Sequence, residues 1–488
     1  MQQRLINAVK QGFAAEHSWA LVIGDLMLDR YLWGEVERIS PEAPVPVVLL
    51  KQETECAGGA ANVAANLAGL GIKTRLVGYV GGDDDGNRLK RAIHDLKIDT
   101  RGLLHSESHA TIAKTRIIGG HQQMIRLDRE SRAPYSGKDA QALMRIVHQQ
   151  LADRPSVVVL SDYAKGVLTP ELCQAVITEA RHLGIPVLVD PKGRDYSKYV
   201  GATALTPNKR EAAEACQVDA RNNPALLAAA AKLRSELKLD FLAVTRGEEG
   251  VSLIEDGHAL HIPATAKQVF DVSGAGDTVI ATLAAGLVAG LERHEALHLA
   301  NLAAGIVVGK IGTVAIKREE LLGELLSEEV REQADKICSL PQLLARTAQW
   351  RAAGERIVFT NGCFDLLHAG HVTYLEQARK LGNRLVLGLN TDRSVSALKG
   401  PTRPVIHEQD RARVLAALEA VDAVILFDED TPLNLIRQIK PDVLAKGSDY
   451  SEDQVVGGAE MKSWGGKVAL VDIVPGRSSS GIIDKLIG

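Results

Sequence analysis

The sequence predicts an α/β protein made of two consecutive blocks, each a parallel β-sheet flanked by helices. Short apolar runs that end in a polar residue alternate with helical segments, which is the pattern of buried parallel strands. Aromatic residues make up only 4% of the chain, against 44 glycines. Small aliphatic side chains must therefore build the core, which favours α/β layers over a β-sandwich. The length of 488 residues corresponds to two or three domains.

The first block contains a series of such strands with helices between them. A helix is predicted over 224–237, and the strand candidates lie at 20–25, 157–162, 185–190 and 241–245. Residues 31–56 and 110–128 break the alternation, because their apolar runs are typical of edge strands or hairpins. These two segments predict a small sheet beside the main one.

A second alternating block follows a stretch rich in Glu, Leu and Arg that has no strand signal. Its strand candidates lie at 356–362, 384–390, 422–427, 443–447 and 467–473. We therefore divide the chain into a first domain over 1–318, a helical linker over 319–349 and a second domain over 350–488.

Charge and composition exclude several classes of protein. The 57 Lys and Arg residues against 61 Asp and Glu give a net charge of −4, which does not favour a binder of nucleic acid or membrane surfaces. The five cysteines are widely spaced and form no C-x-x-C pair, so neither a disulfide framework nor a zinc ribbon is indicated. No apolar stretch reaches the length of a membrane span, and the first residues show no signal-peptide pattern. We expect a cytoplasmic protein.

Two glycine motifs precede helices in the first block. Gly58, Gly59 and Asn62 of AGGAAN fit either a ligand site that the backbone approaches closely or a tight turn into a packed helix. The segment DVSGAGD at 271–277 is more specific, because successive amides at a helix N-terminus form an anion hole. Asp277 lies in the first turn, where it could accept a proton. A purely structural carboxylate there would leave the G-A-G pattern unexplained.

These motifs resemble the two signatures of the ribokinase-like (PfkB) sugar kinases, over roughly residues 10–318. The resemblance implies a ribokinase-like parallel sheet with a small β lid, and Asp277 as the catalytic base. It implies sugar-binding residues Asp25, Asp29, Gly58, Gly59 and Asn62. It also implies Glu211 near Mg²⁺, and ATP-binding residues Asn208, Lys209, Arg210, Glu211, Thr245, Gly247, Gly274, Ala275 and Gly276. Val272 stands where the family usually has threonine.

The segment HEALH at 294–298 matches a zinc-protease pattern. No third ligand is recognisable downstream, and the surrounding Ala- and Leu-rich sequence is typical of helix packing. We therefore expect a packed helix here and no zinc catalysis.

The second block contains the segment TNGCFDLLHAGH at 360–371. His368 and His371 lie three residues apart at a predicted helix N-terminus, where imidazoles can donate to phosphate oxygens as charge develops. A metal site is the weaker interpretation, because no third ligand lies nearby.

This segment resembles the H-x-G-H nucleotidyltransferases, a cytidylyltransferase-like group, over about 350–488. The resemblance implies a Rossmann-like domain in which His368 and His371 stabilise the transition state at the α-phosphate. It implies nucleotide- and phosphate-binding residues Gly362, Phe364, Asp365, Lys399, Arg403, Ser478, Ser479 and Ser480. Ser480 replaces a threonine that is common in the group.

A PfkB-type kinase followed by an H-x-G-H transferase resembles the bacterial bifunctional heptose-phosphate kinase/adenylyltransferase family. The resemblance implies phosphorylation of D-glycero-β-D-manno-heptose 7-phosphate at the anomeric hydroxyl, and transfer of AMP from ATP to heptose 1-phosphate. Its products serve lipopolysaccharide core synthesis, and Mg²⁺ accompanies ATP as co-substrate. Action on another sugar or polyol phosphate is an alternative, and a nucleotide-sensing protein without turnover is another. The exposed strands of 31–56 and 110–128 would pair with a second copy, so we predict a homo-oligomer, most simply a dimer.

Overall fold

The computed structural model describes residues 1–13, 18–120, 122–131, 135, 137–265 and 269–472, without the side chains of 329–332. The chain divides into two compact units, Met1–Leu326 and Ser327–Gly488. None of the helices in these described ranges combines the length and the apolar character that crossing a bilayer requires.

The first unit is built around a nine-stranded sheet that confirms the predicted α/β alternation. Its strands are β1 Trp19–Gly24, β4 Lys73–Gly81, β5 Asp99–Ser106, β8 Val157–Ser161, β9 Val187–Asp190, β10 Ala204–Leu205, β11 Phe241–Thr245, β12 Val251–Glu255 and β13 His258–Ile262, in the order β13-β12-β11-β10-β9-β8-β1-β4-β5. Seven neighbouring strands of this order, β11-β10-β9-β8-β1-β4-β5, are paired in parallel. At the other edge, β12 pairs antiparallel with β11, and β13 pairs antiparallel with β12. Every residue of β8 is buried, because helices cover both faces of a parallel sheet.

Helices follow most of these strands and supply the layers above and below the sheet. They are α1 Gln2–Lys10, α2 Ala60–Gly69, α3 Asp84–Asp95, α4 Lys138–Ala152, α5 Pro170–His182, α6 Lys209–Cys216, α7 Asn223–Glu236, α8 Ala275–Val288 and α9 Arg293–Val307. The HEALH segment begins α9, where the buried Glu295 accepts a hydrogen bond from the backbone N–H of Glu292 in a capping box. Glu295 thus stabilises the start of that helix.

A separate four-stranded sheet confirms the predicted lid. It contains β2 Leu26–Ile39, β3 Pro46–Gly59, β6 Ile112–Gly119 and β7 Gln122–Arg129, in the order β3-β2-β6-β7. Strands β2 and β6 are parallel, and both outer pairs are antiparallel. Several large apolar side chains of this sheet are exposed, among them Leu49, Leu50, Ile125 and Leu127.

The second unit has a fully parallel five-stranded sheet. Its strands are β14 Ile357–Gly362, β15 Arg384–Asn390, β16 Ala423–Phe427, β17 Val443–Gly447 and β18 Lys467–Val471, in the order β16-β15-β14-β17-β18. Its helices are α12 Ala369–Arg379, α13 Asp392–Lys399, α14 Glu408–Ala416, α15 Leu433–Ile439 and α16 Gly458–Ser463. The strand order reverses between β14 and β17, which is where ligands bind in open α/β sheets.

The segment predicted as a linker is helical, and its residues contribute to both units. It forms α10 Arg318–Asp335 and α11 Leu340–Ala352, and the division between the units falls inside α10. Leu321 and Leu325 belong to the core of the first unit, while Cys338 and Leu343 belong to a core cluster of the second. Apolar residues at both ends of 319–349 thus contribute to the two cores, and the linker over 319–349 stays a prediction.

Candidate active sites

An open cleft lies at the carboxyl edge of the nine-stranded sheet and has a cavity volume of about 180 Å³. Its walls come from the residues that follow β8, β9 and β10, from the end of β11 and from the first turn of α8. The lining residues are Asp162, Tyr163, Asp190, Pro191, Lys192, Thr206, Asn208, Glu211, Thr245, Gly274, Gly276 and Asp277. The position agrees with the general rule that ligands of parallel sheets bind at the carboxyl ends of the strands.

Asp277 is a buried carboxylate that lines this cleft. Its Oδ2 accepts a hydrogen bond from Asn62 Nδ2 at 2.7 Å, and its Oδ1 accepts one from the Tyr163 hydroxyl at 2.8 Å. Burial raises the pKa of Asp277 to about 6, while these two hydrogen bonds lower it. Asp277 is thus ionised at neutral pH, and its pKa is near enough to that pH for the carboxylate to accept a proton efficiently.

The first turn of α8 brings backbone amides to the same place. Gly274 precedes the helix with φ +79°, a left-handed conformation that favours glycine. A Cβ on Gly274 would also lie 2.8 Å from Asn62 Nδ2. Glycine therefore permits the contact between the AGGAAN segment and the start of α8, where the helix dipole and amides favour an anion.

The N-x-x-E element forms a helix cap at the edge of the cleft. The Asn208 side chain accepts from the backbone N–H of Glu211 at 2.9 Å, and Glu211 Oε2 accepts from the backbone N–H of Asn208 at 3.0 Å. Glu211 Oε1 also pairs with Lys192 at 2.6 Å. A capping box thus explains the residue pattern structurally, while both side chains still line the cleft.

The predicted ATP-binding residues are only partly brought together. The cleft is lined by Asn208, Glu211, Thr245, Gly274 and Gly276, but not by Lys209, Arg210, Gly247 or Ala275. Lys209 pairs with Glu249, and Arg210 pairs with Glu214 on the surface. Their predicted contacts with ATP remain predictions.

Negative charge accumulates in the cleft around Asp190. Burial and the nearby carboxylates of Asp277 and Glu211 raise the pKa of Asp190 well above its ordinary value, and Lys192 opposes the shift. Such a group of carboxylates fits a divalent cation. Among the described residues no cluster of three or more His, Cys, Asp or Glu side chains is placed to hold a metal ion by itself. A cation here would therefore complete its coordination with substrate phosphates and water, which is how Mg²⁺ is usually bound.

Most of the predicted sugar-binding residues are on or next to the strands of the lid. Asp25 is fully buried and accepts from the backbone N–H groups of Tyr163, Lys165 and Val167 at 2.9–3.1 Å. Asp25 therefore fixes the loop that carries Tyr163. Asp29 on β2 accepts from Arg116 at 2.5 Å.

Both glycines of the AGGAAN motif are required by close contacts. A Cβ on Gly58 would lie 2.2 Å from Asp29 Oδ2. A Cβ on Gly59, which has φ +61°, would lie 2.4 Å from the Asp25 carbonyl. The motif thus brings β3 against both predicted sugar-binding carboxylates.

The second unit has its candidate site at the carboxyl end of β14. His368 caps α12 and His371 lies in the first turn, with their rings stacked at 3.9 Å. Phe364 lies against His371 at 5.0 Å, and a Cβ on Gly362 would lie 2.9 Å from the Phe364 ring. Burial, then the charges of His368 and Lys399, lower the pKa of His371 to about 4. His371 is therefore neutral at physiological pH and keeps one N–H that can donate to an oxyanion.

Asp365, which follows Phe364 in the chain, forms a buried ion pair with Arg403. Asp365 is fully buried and also accepts from the backbone N–H groups of Val405 and Ile406 at 2.7 and 3.2 Å. Burial raises the pKa of Asp365, but Arg403 and these amides together hold it below its ordinary value. Asp365 thus positions the loop that follows α13, and the buried second terminal nitrogen of Arg403 makes no hydrogen bond among the described residues. Ser478, Ser479 and Ser480 lie outside the described residues.

The structure adds residues that the sequence analysis did not select. Tyr163 follows β8, and Asp190 is the last residue of β9. Lys446 lies near the end of β17. Lys446 donates to the Asn361 carbonyl at 3.2 Å across the switch point of the smaller sheet. Burial lowers its pKa to about 8. The segments SDYAKG, DPKGRDY and LAKGSDY could have indicated these three residues, because polar residues at the carboxyl ends of parallel strands face the ligand site.

Comparison with known proteins agrees with this two-site organisation. The pfkB family carbohydrate kinase model matches residues 20–320, and the Cytidylyltransferase-like model matches residues 359–479. The Bifunctional protein HldE of Methylobacillus flagellatus is 66% identical over 486 residues, covering 100% of both chains. The Bifunctional protein HldE of Magnetococcus marinus is 59% identical and covers 99% of both.

Solved structures show the fold of the first unit. Ribokinase from Arabidopsis thaliana, complexed with ribose and ATP, has a TM-score of 0.52 at 23% identity and covers 63% of this chain and 98% of its own. Phosphofructokinase-2 from Escherichia coli has a TM-score of 0.54 at 17% identity and covers 64% of this chain and 99% of its own. These similarities establish a ribokinase-like fold.

Proposed function

This chain belongs to the family of bifunctional HldE proteins, and on that premise we propose that it catalyses two ATP-dependent reactions of ADP-heptose synthesis. It is a bifunctional enzyme with a carbohydrate kinase half and a nucleotidyltransferase half. The kinase half phosphorylates the anomeric hydroxyl of D-glycero-β-D-manno-heptose 7-phosphate. The transferase half joins AMP to D-glycero-β-D-manno-heptose 1-phosphate. The heptose identity derives from the family resemblance.

The observation that carries the kinase proposal is the oriented carboxylate of Asp277 beside the N-terminus of α8. The anomeric hydroxyl gives its proton to Asp277, and its oxygen attacks the γ-phosphorus of ATP, so that ADP leaves. The start of α8 faces the transferred group, where amides favour developing negative charge. Asn62 and Tyr163 keep the carboxylate in place through its two hydrogen bonds.

The carboxylates of the cleft fit Mg²⁺ as the companion of ATP. Asp190 and Glu211 would hold it together with phosphate oxygens and water. Mg²⁺ bound there would neutralise negative charge on the β- and γ-phosphates. Lys192 lines the same wall and adds a second positive charge near the phosphates.

The transferase reaction needs no protein nucleophile. A phosphate oxygen of heptose 1-phosphate attacks the α-phosphorus of ATP, and pyrophosphate leaves. His368 and His371 at the start of α12 donate to α-phosphate oxygens as charge develops, while Lys399, Arg403 and Lys446 surround the reacting phosphates with positive charge.

Because the kinase product carries two phosphates, a phosphatase must remove the 7-phosphate between the two reactions. Both reactions use ATP, which suits the cytoplasm, and the product is a precursor of the lipopolysaccharide inner core.

The lid supports a homodimer. Leu49 and Leu50 of β3 and Ile125 and Leu127 of β7 each expose about half of their side chains. Both strands are at the edges of the four-stranded sheet, and exposed apolar edges tend to pair. A second copy of the chain would cover them.

One experiment tests substrate and chemistry together. The protein is mixed with ATP and Mg²⁺ and either heptose 7-phosphate or heptose 1-phosphate, and each reaction is followed by ³¹P NMR. We expect a new anomeric phosphate in the first sample, and a sugar diphosphate with pyrophosphate in the second. If both samples stay unchanged while ATP binds, the heptose assignment is wrong. A panel of pentose, hexose and polyol phosphates then identifies the substrate, and a failure of all of them favours a nucleotide sensor.

A further inference from the structure

The inner strand of the lid carries a lysine between two carboxylates. Lys114 on β6 is directly opposite Asp29 of β2 on one side and Asp128 of β7 on the other. Cross-strand neighbours of opposite charge normally pair. The register thus gives Lys114 two potential partners.

Both of those carboxylates are already bound by arginines. Arg116 donates to Asp29 at 2.5 Å, and Arg126 donates to both oxygens of Asp128 at 2.8 Å. The nearby Lys165 is likewise paired, with Glu130 at 2.6 Å. Lys114 forms no ion pair in the described part of the chain, so its ammonium group is available to an anionic ligand.

Lys114 faces the catalytic side of the kinase unit. Its Nζ lies 5.4 Å from the ring centre of Tyr163, whose hydroxyl is bound to Asp277. Burial lowers the pKa of Lys114, as do the positive charges of Arg126 and Lys165, while Asp29 and Asp128 raise it. A partly buried ammonium group that makes no direct ion pair is unfavourable, and an anionic ligand would reduce that cost.

We propose that Lys114 binds the phosphate group that the sugar substrate already carries, and so makes this half a kinase of sugar phosphates. The proposal rests on the proposed function of the kinase half. Lys192, Glu211 and the start of α8 line the cleft and suit the phosphates of ATP, so we assign the transferred phosphoryl group to these residues and not to the lid lysine. Lys114 belongs to the lid, on the side of Asp29 and the other predicted sugar-binding residues.

The test compares two substrates in two enzymes. Heptose 7-phosphate and unphosphorylated heptose are assayed with the wild type and with Lys114→Met, and where heptose turns over too slowly its inhibition constant is measured against heptose 7-phosphate. We expect Lys114→Met to raise KM for heptose 7-phosphate by about 10- to 100-fold, the effect of losing a hydrogen bond to a charged group. The constants for unphosphorylated heptose and KM for ATP stay within about twofold. Lys114→Arg retains most of the preference for the phosphorylated sugar.

Lys51→Met is the matched control, because Lys51 is an exposed lysine of β3 in the same sheet and pairs with Glu35. We expect it to leave all constants unchanged. Circular dichroism and KM for ATP show that each variant is folded. Equal losses for both sugars would overturn the proposal, because Lys114 would then act at the reacting end. Unchanged constants would overturn it too. If the wild type prefers another sugar phosphate, the heptose assignment fails, and the same comparison with that sugar decides the role of Lys114.

Discussion

The hydroxyl of Tyr163 donates a hydrogen bond to Oδ1 of Asp277 at 2.8 Å. Tyr163 is itself held in place, because Asp25 accepts its backbone N–H at 2.9 Å. Two acidic residues that are far apart in the sequence are thereby connected through one tyrosine. Asp25 orients the loop, the loop orients the phenol, and the phenol orients the carboxylate that we propose as the catalytic base. The buried Tyr163 also has a pKa raised well above its ordinary value, so it stays a donor to Asp277.

Single substitutions should separate the two activities. Asp277→Asn keeps the shape of the side chain but cannot accept the hydroxyl proton, so we expect kinase activity to fall by at least about 100-fold with adenylylation unchanged. His371→Ala removes a donor to the α-phosphate, so we expect adenylylation to fall by about 100-fold or more with kinase activity unchanged. Each activity is assayed with its own substrate in the same preparation. If either variant loses both activities while remaining folded, two independent sites are contradicted.

The kinase reaction should lose activity in mild acid. Asp277 has to be ionised to accept a proton, and burial raises its pKa to about 6. As pH falls below about 6, the protonated fraction grows, and log kcat/KM should decline by about one unit per pH unit. Tyr163→Phe removes a hydrogen bond that lowers this pKa, so the decline should begin at a higher pH.

The pH profile of adenylylation in the same Tyr163→Phe protein serves as the control and should not move. An acidic limb that stays in the same place in Tyr163→Phe would show that another group controls it. The shift distinguishes an effect on the ionisation of Asp277 from a general loss of structure, which would lower the rate at every pH.

The sequence predicted those parts of the site that are local in the chain. Gly274, Gly276 and Asp277 are close neighbours, so their pattern alone placed an anion hole and an acid in one helical turn. The same holds for His368 and His371. The small lid was predictable because two segments broke the strand and helix alternation of the main sheet.

The sequence could not supply contacts between distant residues. Asn62 and Tyr163 lie 215 and 114 residues from Asp277, and no periodicity relates them. Asn62, expected to hold the sugar, donates to the carboxylate of Asp277, and Asp25 accepts from three backbone amides. Similarly, the sequence of 319–349 indicates helices but not the two cores to which these helices contribute.

The transferase reaction should lose activity in mild alkali. Lys446 lies at the switch point of the smaller sheet, and burial lowers its pKa to about 8. Its ammonium form is lost as pH rises through this value, so kcat/KM of adenylylation should fall above about pH 8. Lys446→Arg stays charged and should flatten this limb. If the wild type shows no decline up to pH 9, the charge of Lys446 is not used in the reaction.

Arg411 should be essential to the stability of the second unit. It is almost fully buried, and it donates to the carbonyls of Cys363 and Asn390 at 2.6 and 2.9 Å and to the carboxylate of Asp392 at 2.6 Å. These partners follow or end β14 and β15, so one guanidinium joins the loops on which the histidine segment depends. Arg411→Met leaves buried acceptors without a donor, and we expect a loss of about 3–5 kcal/mol in the free energy of unfolding of this unit.

A surface arginine of the same unit provides the comparison. Arg393 pairs with Asp428, with 65% and 53% of the two side chains exposed, so Arg393→Met should cost less than about 1 kcal/mol. Thermal unfolding of both variants is followed together with the two activities. In Arg411→Met, adenylylation should disappear at a lower temperature than in the wild type, while the kinase, whose cleft lies wholly within Met1–Leu326, keeps its wild-type heat sensitivity. If Arg411→Met loses both activities at the same lowered temperature, the two units unfold together. The loss of contacts around β14 and β15 would then destabilise the whole chain and not only the second unit.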